Sequence, residues 1–201
     1  MQKVLIAGAT GVLGRAIDKS AIGAGFAVRQ GVRSPAKANP KAEAVHFDYA
    51  DPSTISSALE ANAPALLGPV VTAAKLVGVR HIVLISAVGV NHHDQAPKHI
   101  VEHLVHDSGV PYTILRSNLF MENSSDGFLK PSIREQNAVY LAAGDRKTSF
   151  ISVEDIAAVV VAALPQSLTG KEIDLTGPEA TTFRSQRSSA KRRAARSRII
   201  H

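Results

Sequence analysis

Cysteine and tryptophan are absent from the 201 residues, and aromatic residues make up only 4%. Without cysteine there is no disulfide, no thiolate nucleophile and no Cys-ligated zinc, which suits a reducing compartment. Long apolar runs are also missing. The longest, Ile156 to Leu164, falls far short of the ~20 residues that span a bilayer. Glycines at 8, 11 and 14 break the apolar start that a secretory leader would need. These absences predict a soluble, cytoplasmic chain. With a hydrophobic share of 45%, a chain of this length is expected to form one domain with a sizeable core.

Acid is missing from residues 183–201, where Arg184, Arg187, Lys191, Arg192, Arg193, Arg196 and Arg198 lie. Taking those seven from 23 bases leaves 16 against 17 acids, so the formal charge of +6 belongs to a tail on a nearly neutral body. The tail is expected to be disordered and solvated, with weak polyanion binding by counterion release. Apart from Phe183 it carries no aromatic for base stacking, so no specific nucleic acid is expected.

What is present begins at once. Val4, Leu5, Ile6 and Ala7 form an uninterrupted apolar run, as in a parallel strand buried on both faces. Gly8, Gly11 and Gly14 follow, and Val12, Leu13, Ala16 and Ile17 then recur at helical spacing. Strand, glycine turn and helix N-terminus make a phosphate-binding device, although the spacing is GxxGxxG rather than GxGxxG. Phe26 to Val32 reads as a second strand, followed by Arg33 with Lys37 one helical turn further and no acid nearby. An acid there would bind a ribose 2′-hydroxyl, whereas an arginine suits a 2′-phosphate and favours NADP(H); the competing reading is a solvated loop arginine. Ala44 to Phe47 is a brief third strand. Asp48 after it is read equally as a contact to adenine and as turn chemistry.

Ser53 is expected to cap a helix reaching about Ala61, and Ala65 to Val77 is again helical in pattern. No apolar run between them can supply a strand, so either the sheet lacks one or the next strand takes its slot. That next strand is Arg80 to Ser86. A helix from Pro97 to Asp107, a strand over Pro111 to Arg116 and a loop from Ser117 to Asp126 follow. Ala138 to Leu141 and Ser149 to Ile151 read as short strands. Glu154 to Leu164 reads as a buried helix, and Lys171 to Leu175 as the last strand.

These segments together resemble the atypical short-chain dehydrogenase/reductases, in the NmrA-like NAD(P)-binding group that includes NAD(P)H:quinone oxidoreductases and triphenylmethane-dye reductases. The resembling stretches are VLIAGATGVLGRAI, VRSPAK, GVRHIVLISAVGV, EHLVHDSGVPYTILRSNLFMEN, FISVEDIAAVVVAAL and GKEIDLTGPEA. The resemblance implies an α/β fold: a Rossmann-type, doubly wound, mostly parallel sheet over residues 1–182, with a small C-terminal substrate lobe over about 117–182. It implies that Gly8, Thr10, Gly11, Val12, Leu13 and Gly14 line a pyrophosphate, that Arg33 meets the 2′-phosphate, that Asp48 is near adenine, and that Ser86 lies beside a nicotinamide.

The chain departs from that family in three respects. One family strand and its loop are missing between the Ser53 and Pro64 helices. After Phe183 an Arg/Ser/Ala-rich run replaces the usual amphipathic helix, as a reading-frame change would produce. No tyrosine has a lysine four residues later, so the Tyr-x-x-x-Lys proton-transfer pair is absent. Tyr112 and Arg116 have that spacing but sit in an apolar strand pattern and are discounted. Ser86 and Lys98 remain as candidate catalytic residues, Lys98 being read first as a solvated residue at a helix start. Asn118, Phe120 and Met121 are the candidate pocket lining. His99, Glu102, His103 and His106 share one helix face, read as a polar surface rather than a metal site, since hydride transfer needs no metal. The expected function is NADPH-dependent reduction of a quinone-like, flat, electron-poor small molecule. A non-catalytic NADP(H)-sensing regulator is the alternative.

Overall fold

A computed structural model describes residues 2–34, 37–47, 64–136, 138–140, 147–180 and 198–200. Strands β1 (Lys3–Ala7), β2 (Ala27–Val32) and β3 (Glu43–His46) form one parallel sheet in the order β1-β2-β3. Strands β4 (Ile82–Ala87), β5 (Tyr112–Ser117) and β7 (Lys171–Leu175) form a second parallel sheet in the order β4-β5-β7. Helix α1 (Val12–Gly23) joins β1 to β2, α2 (Pro64–Leu76) precedes β4, and α3 (Pro97–Asp107) joins β4 to β5. Helices α4 (Lys130–Gln136) and α5 (Val153–Ala163) lie between β5 and β7. Parallel strands joined through helices make this a Rossmann-type α/β fold.

Alternation along the strands puts helices on both faces. Val83 and Ile85 pack into the cluster built by α1 and α5, whose buried members include Ala16, Ile17, Ala21, Ile156, Ala157 and Val160. Leu84, between them in sequence, packs on the opposite side with Val70 of α2 and Val101 of α3. Ser152 caps α5, its hydroxyl oxygen accepting from the Asp155 N–H at 3.0 Å. Glu154 and Asp155 in the first turn then suit the positive end of the helix dipole.

Several expectations need correction. Neither β1 nor β4 pairs with the other among the described residues, so β4 does not fill the slot beside β1. β1 is not buried on both faces: Ile6 is buried, while Val4 and Leu5 are only half-buried. Ser149 to Ile151 forms no regular strand; Ile151 makes an isolated parallel bridge to Phe120. Lys130–Gln136 is a helix that the sequence did not suggest. Arg198–Ile200 forms β8 and pairs in parallel with β6 (Ala138–Tyr140), while the rest of the 183–201 tail lies outside the described residues. The expected Ser53 helix lies outside the described residues.

One buried ion pair fixes α3 to the sheet. Arg116 of β5 donates from Nε to Glu102 Oε1 at 3.0 Å and from Nη2 to Glu102 Oε2 at 2.7 Å. Its Nη2 also donates to Glu172 Oε2 at 2.6 Å. Glu102 is therefore buried alongside Val101 and Val105, while Ile100 on the presumed apolar face is exposed. The polar-face reading of α3 fails at Glu102, because its partner lies on a strand, and the His99 side chain on the same face is only 12% exposed. Burial pushes the Glu102 carboxyl up, but the Arg116 hydrogen bonds, the Ser86 hydroxyl and nearby positive charge outweigh it and hold it below the ordinary value.

A group held low in the folded state contributes stability above its unfolded pKa of 4.5, and loses it as pH falls through the lower folded value. Replacing Arg116 by Met strands two carboxylates and is expected to cost about 3–5 kcal/mol at neutral pH. The deficit should shrink in acid below pH 4.5, where the wild type also loses the pair. Urea denaturation at a series of pH values checks both; a deficit that does not change with pH contradicts this account.

Candidate functional site

The site is built at the carboxyl ends of the parallel strands, where connecting loops and helix N-termini converge. Directly after β1, Gly8 takes φ +67, and its carbonyl accepts from the Gly11 N–H at 2.8 Å. That turn delivers the chain into α1 with Gly11 at the N-cap and no side-chain cap hydrogen bond. No acid occupies the first turn. The first N–H groups of α1, at Val12, Leu13 and Gly14, lack intrahelical acceptors and carry the positive end of the helix dipole. The Val12 and Leu13 side chains pack against the core, so these residues offer a ligand only their backbone.

Gly14 holds the geometry together. A Cβ there would stand 1.9 Å from the Gly8 carbonyl oxygen and 2.8 Å from Ala9 Cα. At Gly11 a Cβ would meet the same oxygen at 3.2 Å. Thr10 is exposed, and its carbonyl accepts from Arg15 Nη1 at 2.6 Å, which ties the turn to the helix. An anion-binding cradle of this build fits a pyrophosphate.

Arg33 immediately follows β2. Since Ala7 is in register with Gly31, it emerges beside the glycine turn. It is exposed and makes no ion pair among the described residues, and Lys37 is exposed in the same loop. Asp48 lies outside the described residues.

The other predicted residues separate. Ser86, near the end of β4, is 1% exposed, and its Oγ completes no hydrogen bond of ordinary geometry among the described residues. It faces Glu102 and Arg116 rather than open solvent, Arg116 being its register partner on β5. Lys98, on the first turn of α3, is exposed. Desolvation by the surrounding protein lowers its ammonium pKa, opposed by the Glu102 charge. Asn118 begins the loop after β5, with its N–H bonded to Leu175 O at 2.9 Å. Phe120 packs partly into the core, whereas Met121 is 47% and Phe128 62% exposed. Beyond them, Glu122 Oε2 accepts from the Val153 N–H at 3.1 Å, tying the loop to the start of α5. The Asp126 carboxyl is held low chiefly by its Lys130 hydrogen bond, with the Arg15 charge a smaller cause.

The sequence reading also missed Asp18 and Gln30, both buried, which bond the loop residue Asn39. His99 and His103 stack at 4.5 Å between ring centroids. No group of three or more His, Asp or Glu among the described residues could hold a metal ion. No helix among them is long and apolar enough to cross a membrane.

Residues 8–167 match the family model described as NAD(P)H-binding, and the chain belongs to that family. A (4-alkanoyl-5-oxo-2,5-dihydrofuran-3-yl)methyl phosphate reductase from Streptomyces griseus is 33% identical over 91% of this chain and 71% of its own length. Prestalk A differentiation protein A from Dictyostelium discoideum is 29% identical over 90% of this chain and 66% of its own, so the chain spans about two thirds of these relatives. An NADPH-dependent quinone oxidoreductase from Escherichia coli, solved with NADPH, superposes with a TM-score of 0.78 at 25% identity, covering 100% of this chain and 78% of that one. The relatives bear out the resemblance read from the sequence, and with it an NAD(P)-binding oxidoreductase family.

Gly14→Ala forces α1 away from the turn and is expected to cost about 1–3 kcal/mol by overpacking, with loss of NAD(P)H binding. Gly23→Ala, at the far end of the same helix and facing open space, should preserve binding. Thermal unfolding and fluorescence titration of the two variants check the contrast.

Proposed function

We propose that this chain reduces a flat, electron-poor small molecule, of which a quinone is the type, with NADPH as donor. The observation that carries the reading is the acid-free N-terminus of α1 with exposed Arg33 beside it, a cation with no ion pair among the described residues. A pyrophosphate suits the first, and a 2′-phosphate suits Arg33 with Lys37. When bound, the nicotinamide supplies the hydride. The chain's own part is placement. Gly8, Thr10, Gly11, Val12, Leu13 and Gly14 offer backbone to the pyrophosphate, and Asp48 is assigned to the adenine end. Asn118, Phe120 and Met121 are assigned to the acceptor. The exposed apolar surface of Met121 and Phe128 supports that assignment.

Of the two candidate catalytic residues, Lys98 is open to a ligand, whereas buried Ser86 acts through the packing at the end of β4. The chain has no Tyr-x-x-x-Lys pair. Water can deliver the proton to a reduced quinone, so the reaction needs no dedicated acid. That same lack favours the second reading, a regulator that binds NADP(H) without turnover.

Purified chain with NADPH and a panel of quinones is expected to oxidise cofactor above the protein-free blank. Binding without turnover on any acceptor supports the regulator. Arg33→Ala should weaken NADPH about tenfold (~1.4 kcal/mol) and leave NADH nearly unchanged. Equal affinity for both cofactors, unaltered in that variant, contradicts the NADP(H) assignment.

A further inference from the structure

Asn39 is held by four hydrogen bonds in the loop between β2 and β3. Its N–H donates to Gln30 Oε1 at 2.8 Å, and its Nδ2 to Asp18 Oδ2 at 2.6 Å. Its Oδ1 accepts from the Lys41 N–H at 3.0 Å, and its carbonyl from the Ala42 N–H at 3.0 Å. Both side-chain partners are buried: Asp18 of α1 is 3% exposed and Gln30 of β2 is 2% exposed. Ala38 and Ala42, on either side, pack against the core. The loop is thus clamped over its second half from two different elements.

The clamp is costly in itself. A buried carboxylate without a cation is unfavourable, and Asp18 has no ion pair among the described residues. Its Oδ1 is buried with no hydrogen-bond partner among the described residues. Apolar side chains at 18 and 30 would pack against the same core without that penalty. Something other than stability is served by holding Asn39, and the clamped loop also carries Arg33 and Lys37. The Lys37 N–H donates to Ser34 O at 3.0 Å.

We infer that the Asp18–Asn39–Gln30 clamp sets the preference for NADPH over NADH, by preorganising Arg33 and Lys37 for the 2′-phosphate. This rests on the NADP(H) reading above. Long cationic side chains on a free loop lose both loop and rotamer freedom when they meet a phosphate. A loop fixed beforehand loses less. NADH lacks the 2′-phosphate and gains nothing from the clamp, so its affinity does not depend on it. Asp18, Asn39 and Gln30 are therefore positioning residues, touching no ligand themselves.

The test measures NADPH and NADH affinities on the full chain by fluorescence titration, for variants whose far-UV spectra match the wild type. Asn39→Ala should lower the NADPH-to-NADH affinity ratio ~5-fold, with NADH nearly unchanged. The isosteric Asp18→Asn, a gentler change, should lower it in the same direction. Asn39→Asp alone sets two carboxylates face to face and should also lower the ratio. Combining it with Asp18→Asn reverses donor and acceptor across the 2.6 Å bond and should restore most of the preference. Loss of both cofactors in equal proportion, or no recovery in the double variant, overturns the inference. Arg33→Ala separates the two levels. If it abolishes the preference while Asn39→Ala leaves it intact, only the clamp's role falls; if the wild type shows no preference, the NADP(H) reading falls and the inference with it.

Discussion

A Cβ on Gly14 would stand 1.9 Å from the Gly8 carbonyl oxygen, so α1 approaches the end of β1 as closely as backbone allows. That contact brings the helix N-terminus over the end of the strand. It also brings Ala16, Ile17 and Ala21 into the cluster with Ile156, Ala157 and Val160 of α5. Small side chains on both helices let them lie close together. One glycine thus serves the anion cradle and the core at the same time, since any residue large enough to separate helix and strand would disturb both.

The core matters the more because the sheet is divided among the described residues. Among the described residues, β1 and β4 each pair on one side only, so no ladder of backbone hydrogen bonds joins the two three-stranded sheets. Side chains join them instead. Ile6 and Val28 from one sheet share a cluster with Leu115 and Leu175 from the other, under α1 and α5. Gln2 adds one polar link, donating to Leu164 O at 3.1 Å. Apolar packing is strong in sum but non-directional, at roughly 25 cal/mol per Å². The glycine turn belongs to the first sheet, while Ser86 and Asn118 belong to the second. Their alignment across the site therefore depends on helix packing rather than on strand register.

What could be read from the sequence follows the range of the interaction. The glycine turn, the Pro97–Asp107 helix and the Lys171–Leu175 strand are local patterns, and the fold keeps them. The spacing defect before β4 is legible in the sequence as a missing apolar run, and the segment it falls in, residues 48–63, lies outside the described residues. Glu102 was misread because its partner Arg116 is fourteen residues away on a strand, and nothing in the period of α3 marks a buried charge. Asn39 was invisible for the same reason: Asp18 and Gln30 look like ordinary polar residues until α1 and β2 are packed. The strand at Arg198–Ile200 was hidden by composition, since the arginines before it suggest a solvated run.

Charge shows the same dependence on setting. Arg116 and Arg33 both occur near strand ends in apolar stretches, and their sequence neighbourhoods differ little. Arg116 is buried and meets two carboxylates, so its charge is consumed inside the protein and orders α3 against β4 and β5. Arg33 is exposed, and no carboxylate among the described residues pairs with it. A cation in water with no partner contributes almost nothing to folding. Its free energy is left for a ligand, and only an anion arriving at that end of the sheet can use it. On a nearly neutral body, that makes the placement of one loop arginine more informative about the ligand than the net charge of the chain.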